Sequence, residues 1–136
     1  MSRFDPYTQV GPAVARLVDE YKKHNKLIVA VDFDDTLYDY HQKGFTYLRV
    51  LHLLHRCQEL GFYIVLFTAA PPERWDSQKE YLRHLGVEVS SVNSNPINLP
   101  FGNHGKIYYN VLLDDRAGLG QACLALETAL WRIDNL

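Results

Sequence analysis

Cysteine is scarce: Cys57 and Cys123 are the only two, and they form no metal-binding or redox spacing. Each sits in a helical pattern and is expected to fill the core as a small apolar side chain. Long apolar runs are missing too, since no stretch approaches the roughly 18 residues of a membrane span. The opening segment MSRFDPYTQV has no apolar signal core. These absences predict a chain with no membrane partner, in a reducing, cytoplasmic setting. Charge of one sign is also in short supply. The net charge is −2, which gives no broad basic field for nonspecific nucleic-acid binding. The brief basic cluster Lys22, Lys23 and Lys26 reads as a helix C-terminus, where cations complement the dipole. No G-x-x-x-x-G-K-[ST] occurs, which excludes a P-loop kinase. No internal repeat or low-complexity segment is present.

What remains is an ordinary globular balance. Apolar residues make up 47% and charged residues 22%, so the chain can bury a core. A length of 136 residues fits one domain over residues 1–136.

Apolar residues at helical spacing predict a first helix over residues 12–23. LIVAV at residues 27–31 is short, wholly apolar and β-branched, and reads as a strand buried on both faces. A polar and aromatic loop follows at residues 38–44. Phe45, Leu48, Leu51 and Leu54 mark a second helix that stops near Gly61. FYIVLF at residues 62–67 is a second buried strand. Pro71 and Pro72 open a third helix, where proline is tolerated because the first amides lack partners. Trp75, Leu82 and Leu85 lie on its inward face. Residues 87–92 form a weaker third strand, 93–105 a loop rich in Asn, Pro and Gly, and 107–113 a fourth strand. Leu119, Ala122, Cys123, Leu126, Leu130 and Ile133 define the last helix. Such alternation predicts an α/β fold: a three-layer, Rossmann-like parallel sheet with helices on both faces.

Ligands in such sheets bind beyond the carboxyl ends of the strands. The first strand ends in Asp32, the second in Thr68 and the fourth in Asp114 and Asp115. These residues are therefore expected in one cleft. Clustered carboxylates repel one another and call for a counter-charge. Asp32, Asp114 and Asp115 suit Mg²⁺, which prefers oxygen donors, and lack the His or Cys ligands that zinc favours. A metal there would also bind phosphate oxygens, to which Thr68 can donate a proton and whose charge Lys106 can neutralise. Asp32 and Asp34 stand two apart, so in an extended segment they point to one side. One can attack phosphorus while the other handles the proton.

With DFDDTL at residues 32–37, a strand ending in Thr68, then Lys106, then LLDD at residues 112–115, the chain resembles the haloacid dehalogenase-like hydrolase superfamily. The resemblance runs over about residues 27–115. It implies Asp32 as nucleophile and Asp34 as general acid and base, with the Asp34 carbonyl on Mg²⁺. It further implies Thr68 and Lys106 as phosphate binders, Asp114 as a metal ligand and Asp115 in support. Asp35 stands where glycine is frequent. The loops are too short for the cap domain that many relatives insert, so a capless core is expected. Capless relatives often accept bulky substrates, so the substrate is either a small phosphorylated molecule or an exposed phosphate on a macromolecule such as a nucleic-acid end.

Other readings compete. Asp34 and Asp35 could simply cap a turn. Asp115 could pair with Arg116 or cap the last helix, and Thr68 could cap the turn after its strand. Lys43 and Lys79 compete with Lys106. His52 and His55 are three apart but lack a third ligand, and read as partly exposed helix residues. His104 reads as a solvated loop histidine. Tyr38, Tyr40, His41 and Phe45 form an aromatic flap that could stack a nucleobase or pack on the helix beneath. A signalling receiver domain uses similar residues in another order. A phosphotransferase, or a phosphate-binding module without turnover, would keep the same residues.

Overall fold

The computed structural model describes residues 5–100 and 105–136. Helix α1 spans Val10–His24, β1 Ile28–Asp32, α2 Leu48–Glu59, β2 Tyr63–Phe67, α3 Trp75–His84, β3 Ser91–Val92, β4 Val111–Leu113 and α4 Leu119–Asp134. The four strands form one parallel sheet in the order β3-β2-β1-β4. This is the expected three-layer, Rossmann-like α/β arrangement. Its parallel strands present all their carboxyl ends on one edge.

The elements follow from their residues. In α1, Val14, Leu17 and Val18 form the buried stripe, and Lys22, Lys23 and His24 sit in the last turn against the dipole. Asn25 then stops the helix at a φ of 62°, its amide donating to the Tyr21 carbonyl at 2.7 Å. In β1, Ile28, Val29, Ala30 and Val31 are all buried, as a central parallel strand requires. Cys57 and Cys123 are buried free thiols in the core.

The two layers flanking the sheet are unequal. The larger core joins Val29, Val31, Ile64, Leu66 and Leu113 to side chains from all four helices. The smaller core holds Ile28, Ala30 and Val65, covered by Tyr63, Ile107, Tyr108, Tyr109 and Leu112. On that face, among the described residues, the cover comes from the irregular approach to β4 where a helix was expected. Arg49 binds Glu127 through two hydrogen bonds of 2.8 and 2.6 Å, and Arg56 binds Asp134, so α2 is tied to α4 across the solvent side. Among the described residues, no helix is long and apolar enough to cross a membrane.

Four expectations need correction. Phe45 is not helical but 63% exposed. The Asp39 carboxylate accepts the amides of Lys43 and Gly44, and Gly44 and Tyr47 take φ values of 81° and 54°, so the segment is held as a loop. The third strand shrinks to two residues because the Ser90 hydroxyl oxygen, in place of a backbone carbonyl, accepts the Ile64 amide. The fourth begins only at Val111. Asn110 takes over the ladder with its side chain, its Oδ1 accepting the Ile28 amide at 2.6 Å. The third helix is preceded by a 3₁₀ turn, Pro72–Arg74, with Trp75 and Leu85 only partly buried.

Candidate active site

Sheet register assembles the site. Asp32 at the end of β1 lies across from Phe67, so Thr68 is one residue past it. On the other side Val31 pairs with Leu113, which brings Asp114 level with Asp32. Carboxylate oxygens of Asp32, Asp114 and Asp115 lie within 4.8 Å of one another. Of the residues expected together from strand ends, the three aspartates are therefore together, and Thr68 follows the neighbouring strand end.

A fully buried hydroxyl joins them. Thr36 Oγ1 accepts the Asp115 amide at 3.0 Å. Its proton faces Asp32 Oδ2 at 3.1 Å and Asp115 Oδ1 at 3.3 Å, and can serve only one of them at a time. Asp114 Oδ1 accepts the Arg116 amide at 2.9 Å, which fixes that carboxylate in a tight turn. Asp115 caps nothing: Gly118 occupies the N-cap of α4. Burial pushes the Asp32 carboxyl up to about 7, and the bond to Asp115 and the charge of Asp114 add to it, while Thr36 opposes. The cluster is thus short of positive charge. Its donors are all oxygen, which fits a hard divalent cation bound by Asp32, Asp114 and Asp115.

The turn after β1 exposes Asp34. The Phe33 carbonyl accepts the amides of Leu37 and Tyr38, both at 3.0 Å, and the Asp35 amide donates to the Tyr38 carbonyl at 2.7 Å. Asp35 sits at a φ of 60°, the left-handed region that Gly, Asn and Asp tolerate best, which accounts for an aspartate where glycine is frequent. Its carboxylate is occupied by the amide and ring of His41. Asp35 therefore serves the turn. Desolvation raises the Asp34 carboxyl, with the Asp35 charge adding to it and the Arg74 guanidinium opposing.

Thr68 is buried, and its Oγ1 accepts the Ala70 amide at 3.1 Å. The hydroxyl proton stays available for another acceptor. Asn93 was not anticipated in the sequence. Its side chain clamps Thr68 at both backbone groups, accepting the amide at 2.8 Å and donating to the carbonyl at 2.7 Å. The signal that could have found it is an Asn directly after the β3 pattern, a residue type that tolerates the left-handed φ of 51° found there. Lys106 is not joined to the carboxylates. Its exposed side chain lines a groove with Asn93, Ser94 and Asn95, on the Thr68 side of the site.

The remaining candidates are bonded elsewhere, exposed or undescribed. Lys79 pairs with Asp76, and Lys43 is exposed. His55 Nε2 bonds the Leu85 carbonyl at 2.7 Å, and His52 is exposed. His104 lies outside the described residues. The aromatic flap divides: Tyr38 packs against Phe33 and Tyr81, whereas Tyr40 and Phe45 are 57% and 63% exposed.

Comparison with known proteins agrees with this architecture. The chain is similar to a solved structure of a conserved protein from Bacteroides thetaiotaomicron, at 25% identity over 69% of this chain and 79% of that one, with a TM-score of 0.55. No family model and no curated protein matches the chain.

Proposed function

We propose that the chain is a magnesium-dependent phosphatase of the capless haloacid dehalogenase-like type, hydrolysing phosphate monoesters through an aspartyl-phosphate on Asp32. The observation that carries this reading is the meeting of Asp32 with Asp114 and Asp115 at one sheet edge, with Asp34 exposed two residues further on.

In the first step an Asp32 carboxylate oxygen attacks phosphorus and the bond to the leaving oxygen breaks. Asp34 gives that oxygen its proton, so an alcohol departs. In the second step Asp34, now a carboxylate, takes a proton from water. The water oxygen attacks phosphorus, releasing inorganic phosphate and restoring Asp32. The raised carboxyl of Asp34 suits both roles, since it must hold a proton and then accept one. Asp32, Asp114, Asp115 and the Asp34 carbonyl would hold Mg²⁺, which when bound offsets the negative charge of the carboxylates and the phosphate. Thr68 would donate its free hydroxyl proton to a phosphate oxygen. Lys106 would enter from the Asn93 groove.

The test is hydrolysis of a generic aryl phosphate with and without Mg²⁺. Turnover is expected only with the metal, and Asp32→Asn should abolish it. Asp34→Asn should lose about 10²–10⁴-fold in kcat. Turnover that survives in Asp32→Asn would remove the nucleophile assignment.

A further inference from the structure

Beside the reacting turn lies a second concavity that the proposed chemistry does not use. It has a volume of about 210 Å³ and is lined by Phe33, Tyr38, Ser77, Gln78 and Tyr81. Phe33 and Tyr38 come from the turn that follows the nucleophile strand, and the rest from one face of α3. Three rings meet here. Their centroids are 5.5 Å apart for Phe33 and Tyr38, 5.7 Å for Phe33 and Tyr81, and 5.3 Å for Tyr38 and Tyr81. Phe33 is buried, but Tyr38 and Tyr81 remain 40% and 41% exposed, so both offer ring surface to a ligand.

The polar group in this wall is unusual. Gln78 is only 7% exposed, and its Oε1 has no hydrogen-bond partner among the described residues. Buried polar groups are almost always paired. A leucine at this place on α3, one turn before the fully buried Leu82, would cost nothing in pairing. The carboxamide carries a donor and an acceptor side by side, and half a turn about its last torsion exchanges them. Nucleobase edges carry the complementary pair, and glutamine is a recognised bidentate partner of adenine. Aromatic rings supply the stacking surface that such bases seek.

We propose that this cavity receives the planar nitrogen-heteroaromatic ring of the substrate, stacked on Tyr38 and Tyr81 and paired along its edge with the Gln78 carboxamide, so that the substrate class is nucleoside monophosphates. The inference rests on the phosphatase reading and names its substrate. Two of the walls, Phe33 and Tyr38, share one turn with Asp32 and Asp34, held by the Tyr38 amide on the Phe33 carbonyl and the Asp35 amide on the Tyr38 carbonyl.

Two measurements separate this inference from the phosphatase reading. The first is calorimetric binding of the four common ribonucleosides, which carry no phosphate, to the wild type, Tyr81→Ala and Gln78→Leu. At least one nucleoside is expected to bind the wild type, with affinity falling about tenfold in Tyr81→Ala. Gln78→Leu should melt no lower than the wild type, because it removes an unpaired polar group, yet bind the nucleoside more weakly. The second compares KM for the matching nucleoside 5′-monophosphate with that for glycerol phosphate. Tyr81→Ala should raise the former about tenfold and leave the latter within about twofold. Nucleoside binding without any phosphatase turnover would support the cavity and remove the catalytic reading. Failure of every nucleoside to bind, or binding untouched by both variants, would overturn the cavity assignment. Turnover of aryl phosphate in that case would leave the phosphatase reading standing.

Discussion

The most consequential single group is the Asp32 carboxyl, because burial and two neighbouring carboxylates hold it at about 7 against an ordinary 3.8. A carboxyl raised on folding contributes stability that is fully present below its unfolded pKa and is lost as pH rises through the folded one. Metal-free protein should therefore lose thermal stability between about pH 4 and 7 relative to Asp32→Asn, in which that slope is absent. Mg²⁺ should raise the melting temperature of the wild type more at pH 8 than at pH 5, since its ligands bind deprotonated. Parallel melting-temperature profiles for wild type and Asp32→Asn in chelator would refute this. At this scale much could be read beforehand. Asp32, Asp114 and Asp115 are strand-end residues, and strand ends in a parallel sheet meet by topology. Thr36 was visible only as a letter of DFDDTL. Its role as the shared hydroxyl depends on the turn bringing it back under Asp115, which no periodicity encodes.

Among elements, the β2–β3 junction shows why some boundaries were hidden. Strands were expected wherever apolar residues ran together, yet β3 and β4 are two and three residues long. Side chains explain the difference: Ser90 and Asn110 supply hydrogen bonds that backbone would otherwise make, so the ladder ends early. Asp39 acts similarly before α2, binding the amides of Lys43 and Gly44 just ahead of Phe45, where the helix was expected to begin. Asn93 acts by the same means, its side chain satisfying both backbone groups of Thr68. Asn93→Leu should leave a partly buried amide and carbonyl unpaired and cost about 1–3 kcal/mol in urea unfolding. It should also raise KM for aryl phosphate more than it lowers kcat, as loss of a phosphate-positioning group would. A KM equal to that of the wild type would limit Asn93 to structure.

For the molecule as a whole, stability and chemistry draw on different parts. The large core under the helices carries the fold: Leu54 is fully buried there, and Leu54→Ala should cost about 2–5 kcal/mol in denaturant unfolding. The Arg49–Glu127 pair is half exposed, so Glu127→Gln should cost less than about 1 kcal/mol. Equal losses in the two variants would contradict this division. The alternation of buried strands and amphipathic helices made the layered parallel sheet readable. The cover of the second face was not readable, because Ile107, Tyr108 and Tyr109 look like strand residues and act instead as a lid over Ile28, Ala30 and Val65.

The strand order has one more effect. β1 stands between β2, which follows it closely along the chain, and β4, which arrives some eighty positions later. A fragment cut before β4 would keep Asp32 but lose both carboxylate partners and one whole flank of hydrogen bonding. Truncation therefore offers no gradual route to a weaker carboxylate cluster: it exists only once the two distant halves of the polypeptide have closed on each other.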